Sequence, residues 1–244
     1  MELQTAMYET VTGENMLEEV DNSNSLYFDV KTEGKKLKKA ILRSQRCQRN
    51  WDLTKQLSEE QLELVLHAAT ECPTKQNIPF YSVKVIQDRK MIEAIYEWTY
   101  GPAPSDTPDE KKGKWNPQVL ANTLLVFTEH DFSTDIGSDR SPETSRPKEL
   151  RTDEDNRYIH DDVMQAVGVA AGYVNLTSTM LGLQTGCCKC MIPQEIQKII
   201  GGNEKPLLLM GVGFGQKDAP RRVHQTSGQV MPSYNKRIAV EIIK

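Results

Sequence analysis

The sequence has no long apolar run. No stretch approaches the ~18 apolar residues that a membrane-crossing helix needs, and the first thirty residues are acidic and polar, without the apolar core of a secretory signal. A cytoplasmic protein with no membrane partner is therefore expected. A basic excess is also missing: 30 Lys and Arg stand against 34 Asp and Glu, a formal net charge of −4. A nucleic-acid binder usually shows the opposite balance on one face, so no nucleic acid is expected as a partner.

Cysteine is scarce and odd in number. Cys47, Cys72, Cys187, Cys188 and Cys190 make a poor disulfide framework, since three are crowded together, and they are expected to be thiols. The segment Cys187-Cys188-Lys189-Cys190 holds one C-x-x-C spacing. Structural zinc needs four ligands, while His67, His130, His160 and His224 are scattered along the chain, so no metal site is expected. No serine lies in a nucleophile-elbow sequence, and no triad is recognisable. Gly211-Val212-Gly213-Phe214-Gly215 lacks the third glycine of a dinucleotide loop at the right spacing, and no amphipathic helix follows it, so a Rossmann reading is rejected.

The 244 residues are enough for one large domain or two small ones, and the 38% hydrophobic content supports a packed core. Residues 1–33 lack periodicity and read as an N-terminal extension, with the domain proper over 34–244. Ser58-Glu59-Glu60-Gln61 is a capping box. Leu62, Val65, Leu66 and Ala69 follow at helical spacing and Pro73 ends the helix. Phe80 to Ile86 reads as a strand, Lys90 to Tyr100 as a helix, Gly101 to Pro117 as a loop and Thr123 to Thr128 as a buried strand. Glu129 to Tyr158 is a long charged stretch of the kind that forms lids or variable insertions. A long helix is expected from Asp161 to Leu183, its surface kept small at Gly168, Ala170, Ala171 and Gly172. Pro193 to Ile200 reads as a helix closed by Gly201-Gly202, Pro206 to Phe214 as a buried strand, and Arg237 to Ile243 as a terminal strand. Strands separated by helices imply an α/β or α+β fold.

Two segments carry chemistry. Leu42-Arg43-Ser44-Gln45-Arg46 places two guanidiniums and a hydroxyl within a few residues, and the planar fork of arginine suits bidentate contact with phosphate. Pro73-Thr74-Lys75-Gln76-Asn77 follows a helix and precedes a strand, where a carboxamide can donate to and accept from a polar ring edge. Pro220-Arg221-Arg222 adds another guanidinium pair. Taken singly, these are an exposed basic turn, a helix stop and surface charge. Taken together they outline a pocket for flavin mononucleotide (FMN). The cysteine segment reads as a tight turn of small buried thiols, with its backbone and Lys189 facing the ring.

In this order the segments resemble the nitroreductase family of FMN-dependent oxidoreductases over about residues 38–243. The resemblance rests on Arg43-Ser44-Gln45-Arg46, on Ala69 through Pro73 and Thr74 to Asn77, on Leu181-Gly182-Leu183, and on Gly213-Phe214 followed by Arg221-Arg222. It implies an α+β fold, with a central, mostly antiparallel sheet flanked by helices, in an intertwined homodimer with two FMN sites at the subunit interface. Arg43, Ser44 and Arg46 would hold the phosphate and ribityl chain, and Arg221 or Arg222 would act as a second clamp. Pro73, Thr74 and Asn77 would meet the ring from the partner subunit. Cys187, Cys188 and Lys189 would lie near the reactive flavin nitrogen, and Arg237 to Lys244 would embrace the partner.

The implied activity is hydride transfer from NAD(P)H through flavin to a small acceptor such as a nitroaromatic or a quinone, with ping-pong kinetics and no side-chain acid or base required. Reductive dehalogenation, flavin fragmentation and enoate reduction occur in the same family. A cysteine-based metal or redox module is the reading from a different class. The chain departs from the family pattern at Ile78-Pro79-Phe80 and in the cysteine-rich segment, both close to the ring.

Overall fold

The computed structural model describes residues 29–100, 116–132, 150–226, 228, 230–231, 236 and 238–243. Most of the extension at 1–33, nearly all of the expected loop at 101–117 and most of the insertion at 129–158 lie outside them. The chain divides into two units, residues 1–38 and 39–244. In the first, the Asp29 carboxylate accepts from the Lys31 amide (2.9 Å) in the turn that precedes helix α1, Gly34–Ser44. This helix buries none of its residues.

The second unit is built on four strands, β1 (Tyr81–Ile86), β2 (Thr123–Glu129), β3 (Gln184–Cys188) and β4 (Pro206–Gly213), in the order β1-β2-β4-β3. Every ladder is antiparallel, with Leu125 opposite Met210 and Cys187 opposite Met210 on its other side. Helices α2 (Glu59–Thr70) and α4 (Asp153–Met180) cover one face, where Val65, Ala69, Val163, Val167 and Val174 pack on Leu125, Phe127, Met210 and Val212. Helices α3 (Arg89–Tyr96) and α5 (Pro193–Ile200) cover the other, where Ile92, Ile95 and Ile196 meet Trp51, Leu124, Val126 and Leu209. Strand β2 is therefore apolar on both faces, which explains its unbroken apolar run. The α+β fold with an antiparallel sheet flanked by helices is the one expected.

The capping box of α2 forms as read: the Gln61 amide donates to Ser58 Oγ (3.2 Å) and the Ser58 amide donates to Gln61 Oε1 (3.1 Å). Helix α5 starts and stops as expected, with Pro193 in its first turn and Gly201 at φ 70° just past its end. Four expectations need correction. Helix α3 ends at Tyr96, because the chain turns so that Thr99 bridges to Met191. Helix α4 begins at Asp153, eight residues before the expected start, because Thr152 and Asp155 form a second capping box: the Asp155 amide donates to Thr152 Oγ1 (3.1 Å) and the Thr152 amide to Asp155 Oδ2 (2.8 Å). Cys187 and Cys188 lie in strand β3, since the turn that leaves α4 is completed earlier, at Gly182. Residues 238–243 join no ladder; Ile238, Val240, Ile242 and Ile243 are all exposed, and a strand needs a neighbouring edge to pair with.

Candidate functional site

The site grows from the way the chain leaves α1. The helix closes at Ser44 in a turn where the Arg46 amide donates to the Arg43 carbonyl (3.1 Å), and residues 48–52 are stitched along the end of the β3–β4 pair. The Gln48 amide donates to the Thr185 carbonyl (2.8 Å), the Asp52 amide to that of Phe214 (2.8 Å), and the Gln216 amide to that of Asn50 (2.9 Å). Trp51 anchors this segment: its ring is buried and its Nε1 donates to the Pro117 carbonyl (2.7 Å). The loop after β4 is fastened to the same segment. Asn50 Nδ2 donates to the carbonyls of Pro220 (2.8 Å) and Val223 (2.7 Å), and the Trp51 amide donates to Gln225 Oε1 (3.2 Å). Two basic segments that are distant in sequence are thereby fixed side by side.

Between them opens a cleft of about 310 Å3. It is lined by Arg43 and Arg46 from one side, Arg221 from the other, and Thr179, Gly182, Leu183, Gln184 and Thr185 from the α4–β3 turn. Gly182 has φ 79°, a left-handed conformation that a side chain resists. It lets the Leu183 amide reach back to the Ser178 carbonyl (2.8 Å) and brings β3 directly under the end of α4. Among the described residues, no carboxylate pairs with Arg43, Arg46, Arg49, Arg221 or Arg222. Desolvation pulls the Arg221 guanidinium below its usual value, and the charges of Arg46, Arg49 and Arg222 push the same way. Desolvation likewise lowers Arg49. An anion in the cleft would relieve Arg221, which lines it with Arg43 and Arg46, so the residues present fit a phosphate group.

The remaining candidate residues fall in different places. Ser44 ends α1, with its Oγ donating to the Ile41 carbonyl (2.9 Å) rather than lining the cleft. Arg222 is held by its own Nε, which donates to the Met231 carbonyl (2.8 Å). Arg221 is thus the member of the pair that faces the first cleft. Pro73, Thr74 and Asn77 line neither this cleft nor its neighbour. They sit at the end of α2 in a turn where Gln76 and Asn77 take φ of 54° and 57°, and where Lys75 Nζ bonds Asp162 Oδ2 (2.6 Å). Asn tolerates this conformation; Gln rarely adopts it, and such strain concentrates at functional turns.

Cys187 lies against Asn175 of α4 (3.8 Å to Nδ2), and Thr185 Oγ1 bonds the same Asn175 side chain. Cys188 accepts from Asn116 Nδ2 (2.7 Å). Burial pushes both thiols up to about 12, and proximity to Cys47 adds to the effect at Cys187. Lys189 is exposed and lines neither cleft. Among the described residues no group of His, Cys, Asp and Glu is placed to hold a metal ion, and no helix is long and apolar enough to cross a membrane.

Sequence reasoning missed Arg49, Gln184 and Thr185. Arg49 had a signal in its spacing, three residues after Arg46, whereas Gln184 and Thr185 directly follow the Leu-Gly-Leu element that was noted. Nothing in the sequence marked His224. Its ring is buried, and desolvation together with the Arg49 charge lowers its pKa.

The fold has clear relatives. A nitroreductase-family protein of Streptococcus pneumoniae is 14% identical, with 81% of this chain aligned to 94% of that one at a TM-score of 0.53. An FMN-dependent nitroreductase of Clostridium difficile is 13% identical over 75% of this chain and 90% of its own, with a TM-score of 0.52. A nitroreductase-family protein of Clostridium novyi is 12% identical over 72% and 84%, also at 0.52. At such identities the likeness is one of fold. A search of curated proteins returned no match. The sequence model of the nitroreductase family matches residues 42–214, from the residue before Arg43 through the last strand of the sheet, and the chain belongs to that family, whose members are flavin-dependent oxidoreductases.

Proposed function

We propose that this chain binds FMN as a homodimer and oxidises NAD(P)H, delivering the electrons to a small acceptor such as a nitroaromatic or a quinone. The observation that carries the reading is the convergence of Arg43, Arg46 and Arg221 on one cleft, with no carboxylate among the described residues to neutralise them. Family membership and the FMN-dependent relative from Clostridium difficile agree with it. FMN, when bound, supplies the hydride chemistry, and the protein supplies position and charge.

In this reading Arg43, Arg46 and Arg221 grip the phosphate, with Arg222 bracing the loop that carries Arg221 and Ser44 closing the helix that carries Arg43. Leu183 and Thr185 form a buried part of the cavity wall, and Gln184 borders it from the exposed start of β3. The strand backbone at Cys187 and Cys188 lies deeper along β3, where buried neutral thiols add bulk without charge. Pro73, Thr74 and Asn77 act on the ring bound by the partner subunit. No side chain has to transfer a proton in the first half-reaction, so the missing triad poses no obstacle.

The test is direct. Purified protein should be yellow and should oxidise NADH or NADPH with a nitroaromatic or quinone acceptor in ping-pong fashion. Replacing Arg43 and Arg46 together by Ala removes two charge-assisted contacts, so the FMN dissociation constant should rise by about 100-fold or more. Unchanged flavin occupancy in the double variant would remove these residues from the site.

A further inference from the structure

A second cleft of about 370 Å3 adjoins the first. Gln48, Gln184, Gln216, Lys217, Arg221 and Arg222 face it, and among the described residues no carboxylate does. Gln184 and Arg221 belong to both clefts, so the two spaces share one guanidinium and one carboxamide. Asp218 and Asp52 line an adjoining hollow that shares Gln216, Lys217 and Ala219 with this cleft, and Asp52 is paired with Lys55 (2.9 Å).

The walls of this second cleft are fixed. Asn50 clamps Pro220 and Val223, the Gln216 amide is held by Asn50, and Gln48 Nε2 donates to Gln184 Oε1 across the floor. Arg222 and Met231 exchange two bonds, Arg222 Nε to the Met231 carbonyl and the Met231 amide to the Arg222 carbonyl, each 2.8 Å. A basic site so constrained loses little freedom when it takes a ligand.

The charge balance points to what it takes. Arg43, Arg46, Arg49, Lys217, Arg221 and Arg222 have no anionic partner among the described residues. A phosphomonoester carries roughly −1.5 to −2 charges near neutral pH, so one such group in the first cleft leaves most of this positive charge uncompensated. A second phosphomonoester, in the second cleft, would bring the anionic charge to roughly −3 to −4 and offset half of it or more. Of the two nicotinamide donors only NADPH bears one, on the ribose of its adenosine; NADH has a hydroxyl there.

We propose that the cleft formed by Gln216, Lys217, Arg221 and Arg222 binds the 2′-phosphate of NADPH and makes this enzyme selective for NADPH over NADH. The assignment rests on the first cleft holding the FMN phosphate. Lys217 is the residue that distinguishes the two roles, since it lines the second cleft and not the first.

The experiment compares flavin-loaded wild type with Lys217→Glu. Flavin content is read by absorbance, binding of 2′,5′-ADP and of 5′-AMP by calorimetry, and kcat/KM is measured with each nicotinamide. Wild type should bind 2′,5′-ADP about tenfold or more tightly than 5′-AMP, the gain of one charge-assisted contact. The variant should lose most of that difference while its flavin content and its 5′-AMP binding stay unchanged. Its kcat/KM should fall about tenfold for NADPH and less than about twofold for NADH. Equal binding of the two nucleotides by wild type overturns the proposal. So does an equal loss with both nicotinamides, which would make Lys217 a contact to the shared diphosphate. Protein that retains no flavin overturns the FMN reading, and this proposal with it.

Discussion

Cys187 and Cys188 show how far neighbouring residues can differ from their appearance in sequence. Adjacent in β3, they point to opposite faces of the sheet, one toward Asn175 of α4 and the other toward Asn116. Burial pushes both thiols up to about 12 from an ordinary value of 9.0, so at neutral pH both are protonated and poor nucleophiles. Native protein treated with iodoacetamide at about pH 8 should label Cys190, which is exposed, while Cys187 and Cys188 stay unmodified until denaturant is added; peptide mass spectrometry reads the outcome. The same shift sets a sign for stability. The folded state holds these protons more tightly than the unfolded chain, so their contribution is complete below pH 9.0 and is lost as the pH rises toward about 12. At this scale the sequence was a partial guide. It marked Arg43, Arg46 and Arg221, because the planar fork suits phosphate wherever it is presented. It could not separate Arg221 from Arg222, because that difference lies in one bond from Arg222 Nε to the Met231 carbonyl.

Helices α2 and α5 were readable because their signals are local: a capping box at Ser58 and Gln61 in one, Pro193 and Gly201 in the other. Helix α4 was readable only along its middle. Its first turn, Asp153-Glu154-Asp155, looks like part of a charged loop, yet three acids suit the positive end of a helix dipole. Thr152→Ala removes the hydroxyl that accepts from the Asp155 amide and should lower stability by about 1 kcal/mol. Chemical denaturation of flavin-loaded protein measures this, and an unchanged midpoint would show that the acids alone hold the helix start. The strand expected at 237–243 was misread for a reason of range. Its apolar residues meet the local criterion, but pairing depends on an edge that the sequence does not specify, and Ile238, Val240 and Ile242 find none among the described residues.

The molecule as a whole leaves apolar surface that one protomer does not use. One side of α4 packs Val163, Val167, Ala170 and Val174 into the core, while the other presents Gly168, Val169, Gly172, Tyr173 and Met180 to solvent. A helical glycine on an exposed face costs about 1 kcal/mol against alanine. Among the described residues no contact justifies that cost, since a Cβ at Gly168 or Gly172 would meet none of their atoms within 4 Å. Small residues on such a face permit close approach of another helix, and a second copy of α4 is the occupant that the homodimer reading supplies. The exposed Ile238, Val240, Ile242 and Ile243 would be covered by the same association. Gly172→Glu therefore separates a protomer defect from an assembly defect. Its side chain has open space in one chain, so circular dichroism should show an intact helix, but in a dimer it would place two carboxylates in a close-packed apolar seam. Sedimentation velocity should show wild type as a dimer and the variant as a folded monomer. If Pro73, Thr74 and Asn77 meet the ring across the interface, the monomer should also lose most of its flavin. A variant that remains dimeric with full flavin occupancy would move the two-fold axis off α4.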